Sequence, residues 1–442
     1  MKKFTALSIS LVLLSAAAFA QLADGISIGV EGEAALVPLI ATQEVSEGAN
    51  QAPSGQYTHF GHSDSGGPNF VQLNLAGENP EGTLGFAADF RVYGGVFDFS
   101  TIAVGLPETL PGYWGVDTNA HGWIKPFGSD VLKLTLGSFN EDLLRGKIGD
   151  SNWYAFTKPS GNADSIFTRL GGRNGALISS VPVEGLFIGI LAGADGVNLV
   201  DYFTAQVDAD TIYQFLQGAV GYTIEGVGLV RAQYVGKATS ITTASPTDPE
   251  ALFSRAELAF AYTGVEGLII DLGGKVPFAV ADWDPVSSNK IVFQAPYGVS
   301  LGAEFASGDF KITGRVDGEF GKSYKETDVV SVSFGPEIGI LLVPEYTLSA
   351  VDANLKVGVD VSALIHGDST SKNEITDVST TAKGGFELGF GLWAQKDVSN
   401  GWIKAGLAYQ LQSVAHANGS GTLDDEIAQG AFSIPIVIGF SF

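Results

Sequence analysis

Apolar and polar residues alternate with a period of two along most of the chain. It closes on GAFSIPIVIGFSF, Gly430 to Phe442, whose even positions are Phe432, Ile434, Ile436, Ile438, Phe440 and Phe442. TLGFAADFRVY, from Thr83, sets Leu84, Phe86, Ala88, Phe90 and Val92 against Gly85, Ala87, Asp89, Arg91 and Tyr93. FKITGRVDGEFG, from Phe310, opposes Phe310, Ile312, Val316 and Phe320 to Lys311, Thr313, Arg315, Asp317 and Glu319. SRAELAFAY and GFELGFGLW repeat the arrangement, with Arg255, Glu257 and Glu387 on their polar sides. Successive side chains of a strand point to opposite faces, so each segment predicts a strand with one apolar and one polar face. Roughly nine to eleven such residues, tilted, cross a bilayer. No segment carries a helical period.

The predicted connections alternate in length. Short ones fall at 79–82, 127–130, 183–185, 224–226, 265–267, 307–309 and 397–401. Long polar ones fall at 37–68, 140–172, 239–250, 366–381 and 413–428. Tight turns at one end and long loops at the other predict an all-β fold, a transmembrane up-and-down antiparallel barrel of about 16–18 strands. Both chain ends then lie on the tight-turn side, which makes the strand number even. Gly185, Gly226, Gly267 and Gly308 recur at equal intervals, the first three inside V-E-G or I-E-G. A period of this size can mark a propeller or solenoid. A propeller blade would need four strands within it, so a hairpin and loop of constant length is the simpler reading.

A barrel this wide cannot be filled by its own side chains. The apolar face must therefore meet lipid and the charged face must line water; a secreted sandwich or solenoid is the rival. Parity places Asp89, Arg91, Lys133, Arg231, Arg255, Glu257, Asp271, Lys275, Lys311, Arg315, Asp317, Glu319, Asp360, Glu387 and Lys404 on the lumen side. Glu304, Glu337 and Lys356 share that side. The two signs cancel along this wall. Any one of these charges also has a plainer reading, pairing with a neighbour, as Arg255 and Glu257 could.

Composition sharpens the picture. The chain is 45% hydrophobic and only 16% charged, well below the roughly 25% usual for soluble domains. Beyond the N-terminus no apolar run reaches the length of a transmembrane helix. The net charge of −24 argues against nucleic acid as a partner. With the wall charges cancelling, the acidic excess falls in loops and turns, where it would concentrate cations at the mouths. Cysteine is absent, which excludes disulfides and anchoring through an acylated cysteine. The opening MKKFTALSISLVLLSAAAFAQ has two lysines, an apolar stretch and Ala18-Phe19-Ala20. This predicts a cleaved signal peptide, 1–20, followed by one barrel domain, 21–442.

Other chemistry finds little support. His59 and His62 have a spacing that can touch a metal, yet they sit in a Gly/Ser-rich loop, so no metal is expected. No nucleophile elbow or phosphate loop is present. His121 near Asp117 reads as a solvated pair. No cofactor and no enzymatic activity are expected.

With these patterns in place, the chain resembles the outer-membrane β-barrel family of diderm bacteria, and the porins within it. The specific part of the resemblance is the terminal strand: Ile434, Ile436, Ile438, Phe440 and Phe442 match the assembly signal of that family. The resemblance implies recognition by the barrel-assembly machinery, residence in outer-membrane lipid, and passage of small hydrophilic solutes or ions. It also implies a homotrimer as a candidate assembly. In porins the loop after the fifth strand commonly narrows the barrel; here that loop is 140–172, with Arg145, Lys147, Asp150 and Asp164 as candidates. A strand begins soon after the predicted cleavage site, so no plug domain is expected. The alternative function is a structural or surface-binding barrel acting through its loops.

Overall fold

The structure, a computed structural model, describes residues 26–45, 56–60, 69–94, 115–141, 170–192, 216–236, 254–278, 282–283, 291–294, 296–326, 330–416 and 425–442. The predicted signal peptide lies outside the described residues. All regular structure among them is β. The first strands are β1 (Ile26–Val45), β2 (Gln56–Phe60), β3 (Asn69–Glu78), β4 (Leu84–Gly94), β5 (Gly115–Ile124) and β6 (Lys133–Glu141). Next come β7 (Leu170–Ser180), β8 (Leu186–Ala192), β9 (Leu216–Ile224), β10 (Gly228–Val235), β11 (Ser254–Val265) and β12 (Leu268–Phe278). Then follow β13 (Asp282–Trp283), β14 (Ile291–Gln294), β15 (Tyr297–Ser307), β16 (Phe310–Phe320), β17 (Ser323–Glu326), β18 (Val330–Ser333) and β19 (Glu337–Thr347). The last are β20 (Leu355–His366), β21 (Ser369–Asn373), β22 (Val378–Ala382), β23 (Phe386–Val398), β24 (Gly401–His416), β25 (Asp425–Ser433) and β26 (Ile436–Ser441).

Antiparallel neighbours run from β1 round to β24, and β25 with β26 forms one interrupted strand that pairs back to β1. With β2 and β3 likewise counted as one interrupted strand, the result is a closed barrel of 18 strands. The remaining six short strands form a separate sheet in the order β13, β14, β17, β18, β21, β22. They come from three successive connections at the end opposite the tight turns, so this sheet stands beyond that rim.

The polarity is that of a barrel in lipid. Ile178, Ile190, Leu258, Val299, Phe390 and Leu392 are exposed, while the opposite parity is buried or half-buried and carries the charges. The recurrent glycines turn out to be turn residues: Gly185, Gly226, Gly267 and Gly308 all have positive φ, between 57° and 81°. A side chain at Gly267 would in addition put its Cβ 2.1 Å from the Ala306 carbonyl oxygen. The internal period is therefore the hairpin period, set by left-handed positions that glycine occupies without a steric penalty.

Three segments differ from the sequence expectation. β1 runs to Val45 and β2 pairs with it, so part of 37–68 is strand rather than loop. The polar stretch 366–381 contains the β21–β22 hairpin of the outer sheet. The stretch 413–428 is shortened from both sides, because β24 runs to His416 and β25 begins at Asp425. Within 330–347, Pro336, which has no N–H to give a ladder, divides β18 of the outer sheet from β19 of the barrel.

The barrel closes where β25 and β26 pair with β1. Phe442 donates its N–H to Val30 O at 2.7 Å and accepts from Val30 N at 2.9 Å, so the last residue is tied into the first strand. Ile436, Ile438, Phe440 and Phe442 take the outward parity, and Ile438 and Phe442 are exposed. Ile434 and Pro435 lie in the break between β25 and β26. Pro435 is buried, and its carbonyl still accepts from Gly406 N at 3.1 Å. Opposite it β1 slips register between Leu36 and Ile40, around Pro38. Two prolines thus face an interruption on both sides of the closing seam.

Candidate functional site

The charges that parity assigns to the inner wall lie on the face of the sheet opposite the exposed apolar residues. Their environments differ by region.

Across β10, β11, β12, β15 and β16 the charges are paired, and most of them are buried. Arg231 reaches Asp271 at 2.8 Å, Arg255 reaches Glu257 at 2.7 Å, Arg315 reaches Asp317 at 2.9 Å, and Lys275 pairs with Glu319. Arg255–Glu257 and Arg315–Asp317 are same-face neighbours two residues apart on one strand. The other two pairs skip a strand, and the register explains how. Arg231 is level with Ala259, and Ala259 with Gly273; Asp271 is level with Ala261. The small side chains on β11 leave a trough over which the guanidinium crosses. Lys275 and Glu319 are both level with Gly298 on β15, so the intervening strand offers no side chain at all. Gln233 donates to Glu257 and joins the set. Nearer the tight-turn end, Lys311 lies 3.1 Å from Glu304 and 3.7 Å from Glu345.

A second region lies on β20, β23 and β24. The Trp393 indole lies over Gly358 of the adjacent strand, where a Cβ would approach the ring to 2.2 Å. Its Nε1–H donates to Asp360 at 2.7 Å, and Lys404 Nζ stands 3.9 Å from its ring centroid. This is a cation–π contact with a carboxylate at the ring's other edge. Toward the long-loop rim, His366 lies 3.2 Å from Glu337 and 3.8 Å from Glu387.

A third region, on β3, β4, β5 and β6, is held by neutral amides. Arg91 Nε donates to Gln72 at 2.7 Å, and its guanidinium lies 4.2 Å from the Phe70 centroid. Gln72 donates on to Asn74 at 2.7 Å. Asp89 accepts from the Asn119 backbone N–H at 3.2 Å and from its side-chain amide at 3.0 Å. Ser138 fixes that amide by donating to Asn119 Oδ1 at 2.8 Å. Below them Lys133 stands 5.2 Å from the Trp123 ring, which lies on Gly85. Asn74, Asn119, Ser138, Trp123 and Trp393 were not singled out from the sequence, although their parity with the charged residues was the available signal.

The loop candidates Arg145, Lys147, Asp150 and Asp164 lie outside the described residues. So does His62, while His59 belongs to β2. Among the described residues no group of His, Asp and Glu is arranged to hold a metal ion. His121 Nδ1 lies 3.3 Å from the Ser138 carbonyl.

No family model and no curated protein matches the chain. Solved structures do. OccK2 (OpdF) of Pseudomonas aeruginosa is 9% identical, with a TM-score of 0.50 over 94% of this chain and 98% of that one. The fold is that of a porin. The anion-selective porin of Comamonas acidovorans is 11% identical with a TM-score of 0.41, covering 94% of this chain and 100% of that one. OmpT, an outer membrane protein of Vibrio cholerae, is 12% identical with a TM-score of 0.40, covering 96% and 99%. At such identities the porin fold is shared, and the wall chemistry of this barrel has to be read from its own residues.

Proposed function

We propose that the protein is an outer-membrane channel for passive diffusion of small hydrophilic solutes and ions, with a mild preference for cations. The observation that carries the reading is the inverted polarity of a closed barrel: exposed Leu, Ile, Val and Phe outside, charges and amides inside. A barrel of this strand number leaves room for a water path. The preference for cations rests on the charge of −24, which the ion pairs of the wall do not account for. No enzymatic step belongs to this reading. The terminal strand, tied to β1 through Phe442, supports delivery by the barrel-assembly machinery. In this reading 1–20 is removed on export and 21–442 is one domain.

Planar-bilayer recording of the purified protein tests it. Stepwise conductance is expected, with a reversal potential in a salt gradient displaced toward the cation value. A silent protein would refute the channel, and a displacement toward the anion value would refute the preference. The outer sheet favours one second reading, a barrel that binds through its surface. Deleting 369–382 removes the β21–β22 hairpin; unchanged conductance with lost surface binding would favour that reading.

A further inference from the structure

On the inner wall over β1, β3, β4 and β5 lies a cavity of about 380 Å³, at the low end of the usual range for small-molecule sites. Strand register shows why it is there. One level of the wall carries Gly29, Asn74, Asp89 and Asn119, and the next toward the tight turns carries Ser27, Ala76, Ala87 and His121. The large inward groups are one level above, Gln72 and Arg91, and one level below, Trp123. Gly29, Ser27, Ala76 and Ala87, the small residues of these two levels, leave a hollow between the bulkier ones.

The one formal negative charge in its lining is Asp89. Among the described residues no basic side chain pairs with it, in contrast to the acids of β11, β12 and β16, each of which holds an Arg or Lys. The nearest cation along the strand, Arg91, is turned away to Gln72 and Phe70. Asp89 is also held in place, through Asn119 and then Ser138, so its orientation does not depend on a ligand. A half-buried carboxylate that is oriented but not neutralised favours a cation that can donate hydrogen bonds.

We propose that this cavity is a binding subsite for a small organic ammonium solute, with Asp89 as its specificity-determining residue. The cavity is too large for a bare metal ion and offers a single carboxylate, where calcium takes about six to eight oxygens. Its lining contains the His121 imidazole but no Trp, Tyr or Phe ring of the kind that stacks on sugars. The Asp89 carboxylate receives the ammonium N–H groups, Ser27 and Asn74 supply neutral polar contacts, and the alkyl part lies on Ala76 and Ala87. The assignment rests on the channel reading and gives its cation preference a place on the wall.

The test is calorimetric titration of the detergent-folded full-length protein with the diamine putrescine, and with the uncharged diol of the same chain length. Putrescine is expected to bind and the diol not. Asp89→Asn should weaken the diamine by about tenfold or more, as a charge-assisted contact becomes a neutral one. Ala87→Leu, which fills the hollow and leaves the carboxylate, should also abolish binding, and it serves if Asp89→Asn does not fold. Equal affinity in wild type and the variants, or equal affinity for the diol, would overturn the subsite. Because the readout is binding and not current, a silent bilayer with intact titration would sink the channel reading alone.

Discussion

Two stretches of the same inner wall solve the burial of charge differently. On β10 to β16 every acid that parity turns inward is matched to a base, twice across an intervening strand with a small residue or glycine in the path. On β3 to β5 the acid is held by amides and a serine, and the base is sent elsewhere. A buried ion pair is costly to desolvate and costly to break, so the first stretch is a rigid piece of wall with little to offer a solute. The second leaves a carboxylate, beside a hollow, whose charge no basic side chain among the described residues cancels. Charge on a pore wall is thus not equivalent to charge presented to the pore, and which residue does the presenting is decided by partners.

The largest effect should come from breaking the paired stretch. Asp271→Asn leaves Arg231 buried without its carboxylate, and a loss of about 3 kcal/mol is expected. Asp89→Asn removes no ion pair and keeps the shape that Asn119 holds, so a change under about 1 kcal/mol is expected. Urea unfolding of the two variants in the same lipid measures the contrast. Equal losses would mean that the two regions are not different in kind.

A smaller effect separates orientation from charge within the second stretch. Ser138→Ala deletes the hydroxyl that fixes Asn119, at a cost of about 1 kcal/mol for one hydrogen bond. It leaves the Asp89 charge intact, so diamine affinity should fall by a few-fold at most, roughly what one neutral bond supports. A loss as large as that of Asp89→Asn would shift the credit from the carboxylate to the network that holds it.

How much of this was legible beforehand follows from what a period of two can say. It assigns a face, and the inward set from Asp89 to Lys404 was read from it. It cannot say which inward residue stands beside which, because that needs the stagger between strands. Arg231 and Asp271 meet only because Ala259 and Ala261 sit between them, and Lys275 meets Glu319 only over Gly298. Neutral wall residues were the other blind spot, since Asn74, Asn119 and Ser138 carry no charge to draw attention. The outer sheet was missed for a related reason. STSKN and VSTTA are polar on both faces, so they show no apolar alternation although they pair as strands.

The smallest effect concerns a third kind of carboxylate, at the tight-turn mouth outside the crossing strands. Asp352, in the connection between β19 and β20, pairs with Lys396 and accepts the Asn354 N–H at 2.9 Å. The Lys396 contact first, and then that N–H, hold its carboxyl below the usual carboxylate range. A carboxyl whose folded pKa is the lower one adds stability that is present above the unfolded value and lost as pH falls through the folded one. The difference in urea midpoint between wild type and Asp352→Asn should therefore be full at neutral pH, begin to shrink as pH drops below about 4, and vanish below the lower folded value. High salt should shrink it as well, because this group is exposed to solvent and its attraction is screened. A difference that survived both acid and salt would mean that the shape of the turn matters here and the charge does not. The mouth would then resemble the β3–β5 wall, where geometry holds the carboxylate, and not the β10–β16 wall, where a cation does.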